Sequence, residues 1–306
     1  MLVRKSIRFV IIFKKALKSL RGNDPLRMGA ATSFFAFFAL PPITIILSKL
    51  VSVLLGNREG VISGKLFDQL AQVFGNKSAH ELEDISDNLQ AIPINPLFTI
   101  LGALFLLLSA TTLFTLIKGS LNQLWNIKEK AKATQHSFLE DRLVGIAIIL
   151  FSGILFIASL FADVLVDKLG GQLAFSLPQY QVVISSLANH MLSWLILTLW
   201  FAVLFKYLPN IKVRWKAVLV GAIVTSILYK TGAYILEIIL IHGQTEAIFG
   251  GSASIVLVLL FIFYASLIFY YGAAFTKVYA YYTHLFHKPT ANATLYKIIE
   301  IQTTER

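Results

Sequence analysis

Cysteine is absent from the 306 residues. That excludes disulfides, zinc–thiolate sites, iron–sulfur clusters and cysteine nucleophiles, and leaves the redox compartment open. Charge is scarce as well: 14% of residues are Asp, Glu, Lys or Arg, against a globular norm of roughly 25%. Catalytic templates are missing too, with no P-loop, no His-Glu-x-x-His and no Gly-x-Ser-x-Gly. His284 and His287 are three apart and read as surface polarity rather than a metal pair. Glu129, Glu140 and Asp141 are too few for the converging carboxylates of two-metal chemistry. The chain therefore does not read as an enzyme, and no cofactor or metal is expected. The basic N-terminus is not followed by a separate apolar core with a small-residue cleavage site, so no cleaved signal peptide is expected. No internal repeat stands out, although six spans could hide an inverted three-plus-three pair.

Apolar residues fill the space that charge leaves. They make up 57% of the chain, and the mean hydropathy is +0.73. A soluble fold of this size cannot bury so much apolar surface, and a disordered chain would not carry it. A bilayer-spanning helix takes about 20 mostly apolar residues. Six stretches qualify: Gly29 to Leu55, Leu97 to Ile117, Leu143 to Val166, Val182 to Leu204, Ala217 to Ile241 and Ser252 to Tyr281. Barrel strands would read as short alternating segments, and these do not. The expected fold is an all-α polytopic membrane protein of six transmembrane helices. Its segments are residues 1–28 at the N-terminus, 29–281 for the membrane domain and 282–306 for a tail.

Net charge is +11, from 27 basic and 16 acidic residues. In a soluble chain this would raise nucleic acid as a partner. Here the positions decide otherwise. Twenty-one of the Lys and Arg residues fall in 1–28, 118–142, 206–216 and the tail from Lys277, and four fall in the other three loops. Such alternation is a topology signal, which places both termini in the cytoplasm and the protein in a bacterial inner membrane. No single aromatic-interleaved basic patch exists for nucleic acid.

Residues 3–21 have helical periodicity. Val3, Ile7, Val10, Leu17 and Leu20 fall near one face, while Arg4, Lys5, Arg8, Lys15, Lys18 and Arg21 lean to the other. Such a helix lies at the interface with its basic side on anionic headgroups, or serves only as a topology anchor. Asp24-Pro25 then offers a fresh helix start. The long acidic external loop, 56–96, contains two further helical patterns, the second opened by a Ser78–Glu81 capping box. It reads as a helical cap, either gating a cavity or covering helix ends.

Within the spans, Pro41-Pro42 should kink or break span one. Freed backbone at membrane depth needs a protein or cavity lining. Lys230 lies about 22 Å from the Trp215 end of span five, in the outer half of a ~30 Å core. Glu237 is two turns on. Asp163 in span three and Asn189 and His190 in span four lie at similar depth. Lys49 and Glu237 read as interfacial. Lys230 either snorkels outward or faces the bundle interior as part of a site for an anionic group. The candidate substrate-binding residues are thus Lys230, Glu237, His190, Asn189, Asp163, Pro41 and Pro42. Clusters of small residues in spans five and six favour close helix packing.

Several segments together resemble the YihY/BrkB family of bacterial inner-membrane proteins, once labelled ribonuclease BN. Ala30-Ala31-Thr32-Ser33-Phe34-Phe35-Ala36 leading to Leu40-Pro41-Pro42 resembles the family's first span, and Leu121-Asn122-Gln123-Leu124-Trp125-Asn126 is similar to its "LNRIWG"-like segment. Tyr207-Leu208-Pro209-Asn210-Ile211-Lys212-Val213-Arg214-Trp215 is the most specific match, and Phe249-Gly250-Gly251-Ser252 and Tyr271-Gly272-Ala273 resemble the last span. Many members carry an acid where this chain has Ala274, so a role for that acid does not carry over. The resemblance implies a six-helix inner-membrane protein, and nothing in the residues supports ribonuclease activity. The expected function is movement of a lipid or other amphipathic anionic substrate, without ATP. The rival is a structural or assembly protein that binds membrane partners and moves nothing. Membrane lipids are the expected partners, and the sequence leaves room for an oligomer.

Overall fold

The computed structural model describes residues 2–39, 83, 112–130, 147, 148, 151, 154, 155, 158, 181–242, 253–285, 288–290 and 292–297. These comprise α1 (Leu2–Arg21), α2 (residues 25–39), α3 (residues 112–124), β1 (Ile127–Glu129), α4 (Gln181–Tyr207), α5 (Trp215–His242), α6 (Ala253–Tyr282) and β2 (Ala293–Leu295). Among the described residues three helices are long and apolar enough to cross a membrane, over His190–Tyr207, Trp215–Leu236 and Ile255–Tyr282. They match the last three stretches expected from hydropathy. Pro41-Pro42, the external cap apart from Glu83, Asp163 and most of the second and third stretches lie outside the described residues.

Helix α5 is the hub, packing on α4 along one side and on α6 along another. The α5–α6 crossing is built from two glycine–threonine pairs. A Cβ placed on Gly221 would stand 1.8 Å from Thr276 Oγ1, and one on Gly272 would stand 1.9 Å from Thr225 Oγ1. Each threonine thus sits over the other helix's glycine, and each turns its hydroxyl back to its own helix. Thr225 donates to the Gly221 carbonyl at 2.7 Å, and Thr276 to the Gly272 carbonyl at 2.8 Å. The hydroxyls need no water there, so the two backbones approach dry. Small residues at a crossing serve this purpose in membranes, where helix association relies on close packing.

The helix start at Asp24-Pro25 is where the sequence places it: α2 runs from residue 25, with Met28 N donating to Asp24 O at 3.1 Å. In α1 the buried face keeps Leu20 of the expected stripe and otherwise differs from it among the described side chains. Ile12, Ala16 and Leu20 are buried, whereas Val10 and Leu17 are exposed. The physical reason is that α1 has apolar residues on two faces. The face with small Ala16 and the rings of Phe9 and Phe13 docks against α6, where Phe13 lies 4.9 Å from the Phe275 ring. Val10 and Leu17 share their side with exposed Lys14 and Arg21 and stay outward. Helix α1 is therefore seated on protein along one face, not only on headgroups.

The fold is also not purely helical. β1 pairs antiparallel with β2, with Ile127 opposite Leu295 and Glu129 opposite Ala293. Asn126 has φ of 56°, which turns the chain out of α3 into β1. Part of the segment expected as a tail is tied to the body by this pairing. A second bridge joins Ile211 to Pro289. The main core lies at this end of the bundle, around Leu121, Leu124, Trp125, Phe205, Ile211 and Tyr270.

Candidate functional site

Two polar constellations stand out. The first runs along the contact of α4 with α5. Thr198 Oγ1 donates to Ser226 Oγ at 3.0 Å, and Ser226 passes its own proton to the Ala222 carbonyl at 2.8 Å. One turn further along α5, Lys230 Nζ donates to Ser193 Oγ at 2.8 Å. Lys230 is half-buried and Ser193 exposed, so the ammonium lies at the margin of the two helices with protein on one side.

Of the expected site residues, the structure brings Lys230 onto α4, though onto Ser193 rather than onto Asn189 or His190. Those two lie one turn beyond Ser193 on α4, and His190 is exposed. Glu237 lies two turns beyond Lys230 on α5, and its side chain is outside those described. Asp163, Pro41 and Pro42 fall on residues that are not described. Ser193 was missed, and the one signal for it in the sequence is its distance from the connection between the helices. Lys230 is 15 residues from Trp215, at the start of α5, and Ser193 is 14 residues from Tyr207, at the end of α4. With so short a turn between antiparallel helices, residues equidistant from it face each other.

The second constellation is a polar knot at the end of the bundle that holds the short loops. The Glu129 carboxylate accepts from Asn210 Nδ2 at 2.7 Å and pairs with Lys118 Nζ at 3.2 Å, whose side chain is only 8% exposed. Asn122 Oδ1 accepts from the Asn210 amide at 2.8 Å. Lys277 Nζ donates to the Leu124 carbonyl at 2.7 Å, which the end of α3 leaves without a helical donor, and to the side-chain Asn126 Oδ1 at 3.0 Å. Lys206 closes the 207–213 loop on the Val213 carbonyl at 2.5 Å. Nearby, Thr32 and Tyr270 hydroxyls meet at 2.6 Å in the buried interior, joining α2 to α6. Composition had assigned Lys118, Lys206 and Lys277 to topology alone. Four of these groups also serve as local fasteners: Glu129, Lys118, Lys277 and Lys206. Among the described residues no group of three or more His, Asp or Glu side chains gathers in a form that holds a metal.

The knot joins the 121–126 and 207–215 segments that sequence motifs had singled out, and a family model described as Virulence factor BrkB matches residues 16–294. The chain belongs to that family. Curated relatives of this BrkB-family protein are named UPF0761 membrane protein. One from Tolumonas auensis is 28% identical over 185 residues, covering 58% of this chain and 56% of its own length. One from Kangiella koreensis is 25% identical over 244 residues, covering 77% and 55%. One from Teredinibacter turnerae is 20% identical, covering 83% and 56%. The chain spans just over half the length of the curated relatives it matches. No solved structure matches it. Family membership and the apolar helices make it an integral membrane protein.

Proposed function

We propose that this BrkB-family protein moves a lipid, or another amphipathic anion, through or out of a bacterial inner membrane. The observation that carries the reading is Lys230, a cation 15 residues into a spanning helix, held by Ser193 at the margin of α4 and α5. An ammonium at that depth is costly unless something polar shares it. Its serine partner is uncharged, so the positive charge is left to attract an anion arriving laterally from the bilayer. Thr198 and Ser226 extend the polar path by one turn. Asn189, His190 and Glu237 would continue it towards the other face, and Asp163 and the Pro41-Pro42 break would belong to the same path. In this reading six spans leave both termini in the cytoplasm, residues 56–96 cover the outer face, and the activity is transport rather than catalysis. Membrane lipids are the partners, and nucleic acid is not one.

A non-transporting assembly protein is the second reading. It draws on the exposure of Ser193 and on the tightly fastened polar knot. Reconstitution of the full chain into vesicles with fluorescent phosphatidylglycerol separates the two, by following the fraction of probe that a membrane-impermeant quencher reaches. Lys230→Met should abolish redistribution and Lys230→Arg should retain it. A folded Lys230→Met protein that redistributes the probe like the parent sinks the transport site.

A further inference from the structure

A groove of about 260 Å³ separates α1 from α5. Its walls are Phe9 and Phe13 on α1 and Val220, Ile223, Val224, Ile227 and Leu228 on α5. Every lining side chain is apolar. The gap does not close by side-chain motion, because the two rings on its α1 wall are engaged elsewhere. Phe9 and Phe13 pack on each other at 5.4 Å and on Phe275 at 5.6 and 4.9 Å. The Phe13 carbonyl is also tied to the Tyr271 hydroxyl at 3.3 Å.

The outer lip on α5 is the stripe Lys216, Val220, Ile223, Ile227, spaced by four, three and four residues so that all four share one face. Lys216, Ile223 and Ile227 are exposed along it. An apolar slot thus lies along a spanning helix with the Lys216 cation at the end nearest the helix start. A volume of about 260 Å³ is too small for a helix, whereas a stretch of a single hydrocarbon chain fits.

We infer that the groove between α1 and α5 holds one acyl chain of an anionic phospholipid whose phosphate sits at Lys216. The inference is independent of transport through the Lys230 seam, since it concerns a resident lipid on another face of α5. Helix α1 then works as a clamp: its inner face grips α6 through Ile12, Ala16 and Phe13, and its groove side grips lipid.

Native mass spectrometry of the full chain tests this, after extraction from nanodiscs that contain equal phosphatidylglycerol and phosphatidylcholine of the same chain length. The parent protein should retain phosphatidylglycerol in preference to phosphatidylcholine. Ile223→Trp with Ile227→Trp fills the slot from exposed positions and should reduce retention of both lipids by about tenfold. Lys216→Glu should leave a lipid bound and reduce the preference for phosphatidylglycerol by about fivefold. A parent protein that sheds all lipid overturns the inference. So does undiminished retention in the double tryptophan variant, or a mass showing a second copy in place of lipid. Failure of vesicle transport in the Lys230 variants leaves these readouts unchanged, so the two proposals fail separately.

Discussion

The two long contacts of helix α5 are opposites. Towards α6 it presents Gly221 and Thr225, and the partner helix returns Gly272 and Thr276, so backbones meet with both threonine hydroxyls satisfied within their own helices; further along, only the Tyr264 hydroxyl of α6 crosses, to the Leu228 and Tyr229 carbonyls at 3.0 Å, among the described residues. Towards α4 it presents Ser226 and Lys230, and hydroxyl and ammonium groups reach across to the neighbouring helix. At the glycine–threonine crossing the first contact has no room for anything else. The second has hydrogen-bonding capacity to spare, since an ammonium has three donors and one serine oxygen takes one of them. One helix thereby separates a structural side from a side fit for binding. It can do so because the two faces are about a quarter-turn apart, with residues 225 and 226 adjacent in sequence.

The largest effect should come from breaking the closed side. Gly221→Val or Gly272→Val places a branched side chain where a threonine oxygen now lies under 2 Å from the added Cβ. Overpacking of this kind costs about 3 kcal/mol or more, read as loss of protein recovered in detergent and a fall in Tm. Gly221→Ala should be rescued in part by Thr276→Ala and not by Thr225→Ala, since only Thr276 occupies the space. Equal rescue by both would mean that the crossing is looser than drawn. The next effect belongs to the knot. Glu129→Ala removes the acceptor shared by buried Lys118 and Asn210. A cost of about 2 kcal/mol is expected, with faster amide exchange over residues 207–213 and 293–296. Exchange that rises only at Glu129 itself would show that the loops hold together without it.

Lys277→Met should follow, at about 1–2 kcal/mol, because it uncovers the Leu124 carbonyl and releases Asn126. Thermal unfolding in detergent measures it. Smallest is Lys230→Met, which loses one hydrogen bond to an exposed serine and should lower stability by under about 1 kcal/mol, while vesicle redistribution is lost. A Tm drop as large as that of the glycine variants would erase the contrast between the two sides of α5 and make Lys230 a structural residue.

Sequence periodicity located the late spans because hydropathy over some twenty residues is a property of each segment alone. It also located the restart at Pro25 and the position of Lys230 within a spanning helix, since both follow from residue type and pattern. It did not select the docking face of α1. Two apolar stripes competed there, and the choice depended on Phe275 and Tyr271, which lie some 260 positions away in sequence. Nor did it anticipate the strand pair 127–129 with 293–295, because three-residue strands carry no usable period and need each other to exist.

By itself, then, the sequence determined an apolar, cysteine-free membrane chain, its late spanning helices and the presence of a lysine inside one of them. Those are consequences of local composition and solvent. Tertiary structure decided which side of α5 would be sealed by glycine and threonine and which would carry Lys230 to Ser193. It also turned Lys118, Lys206 and Lys277 from topological charges into fasteners. Hydrogen bonds and close backbone contacts depend on which distant segments share a few ångströms of space, and local residue order does not specify that.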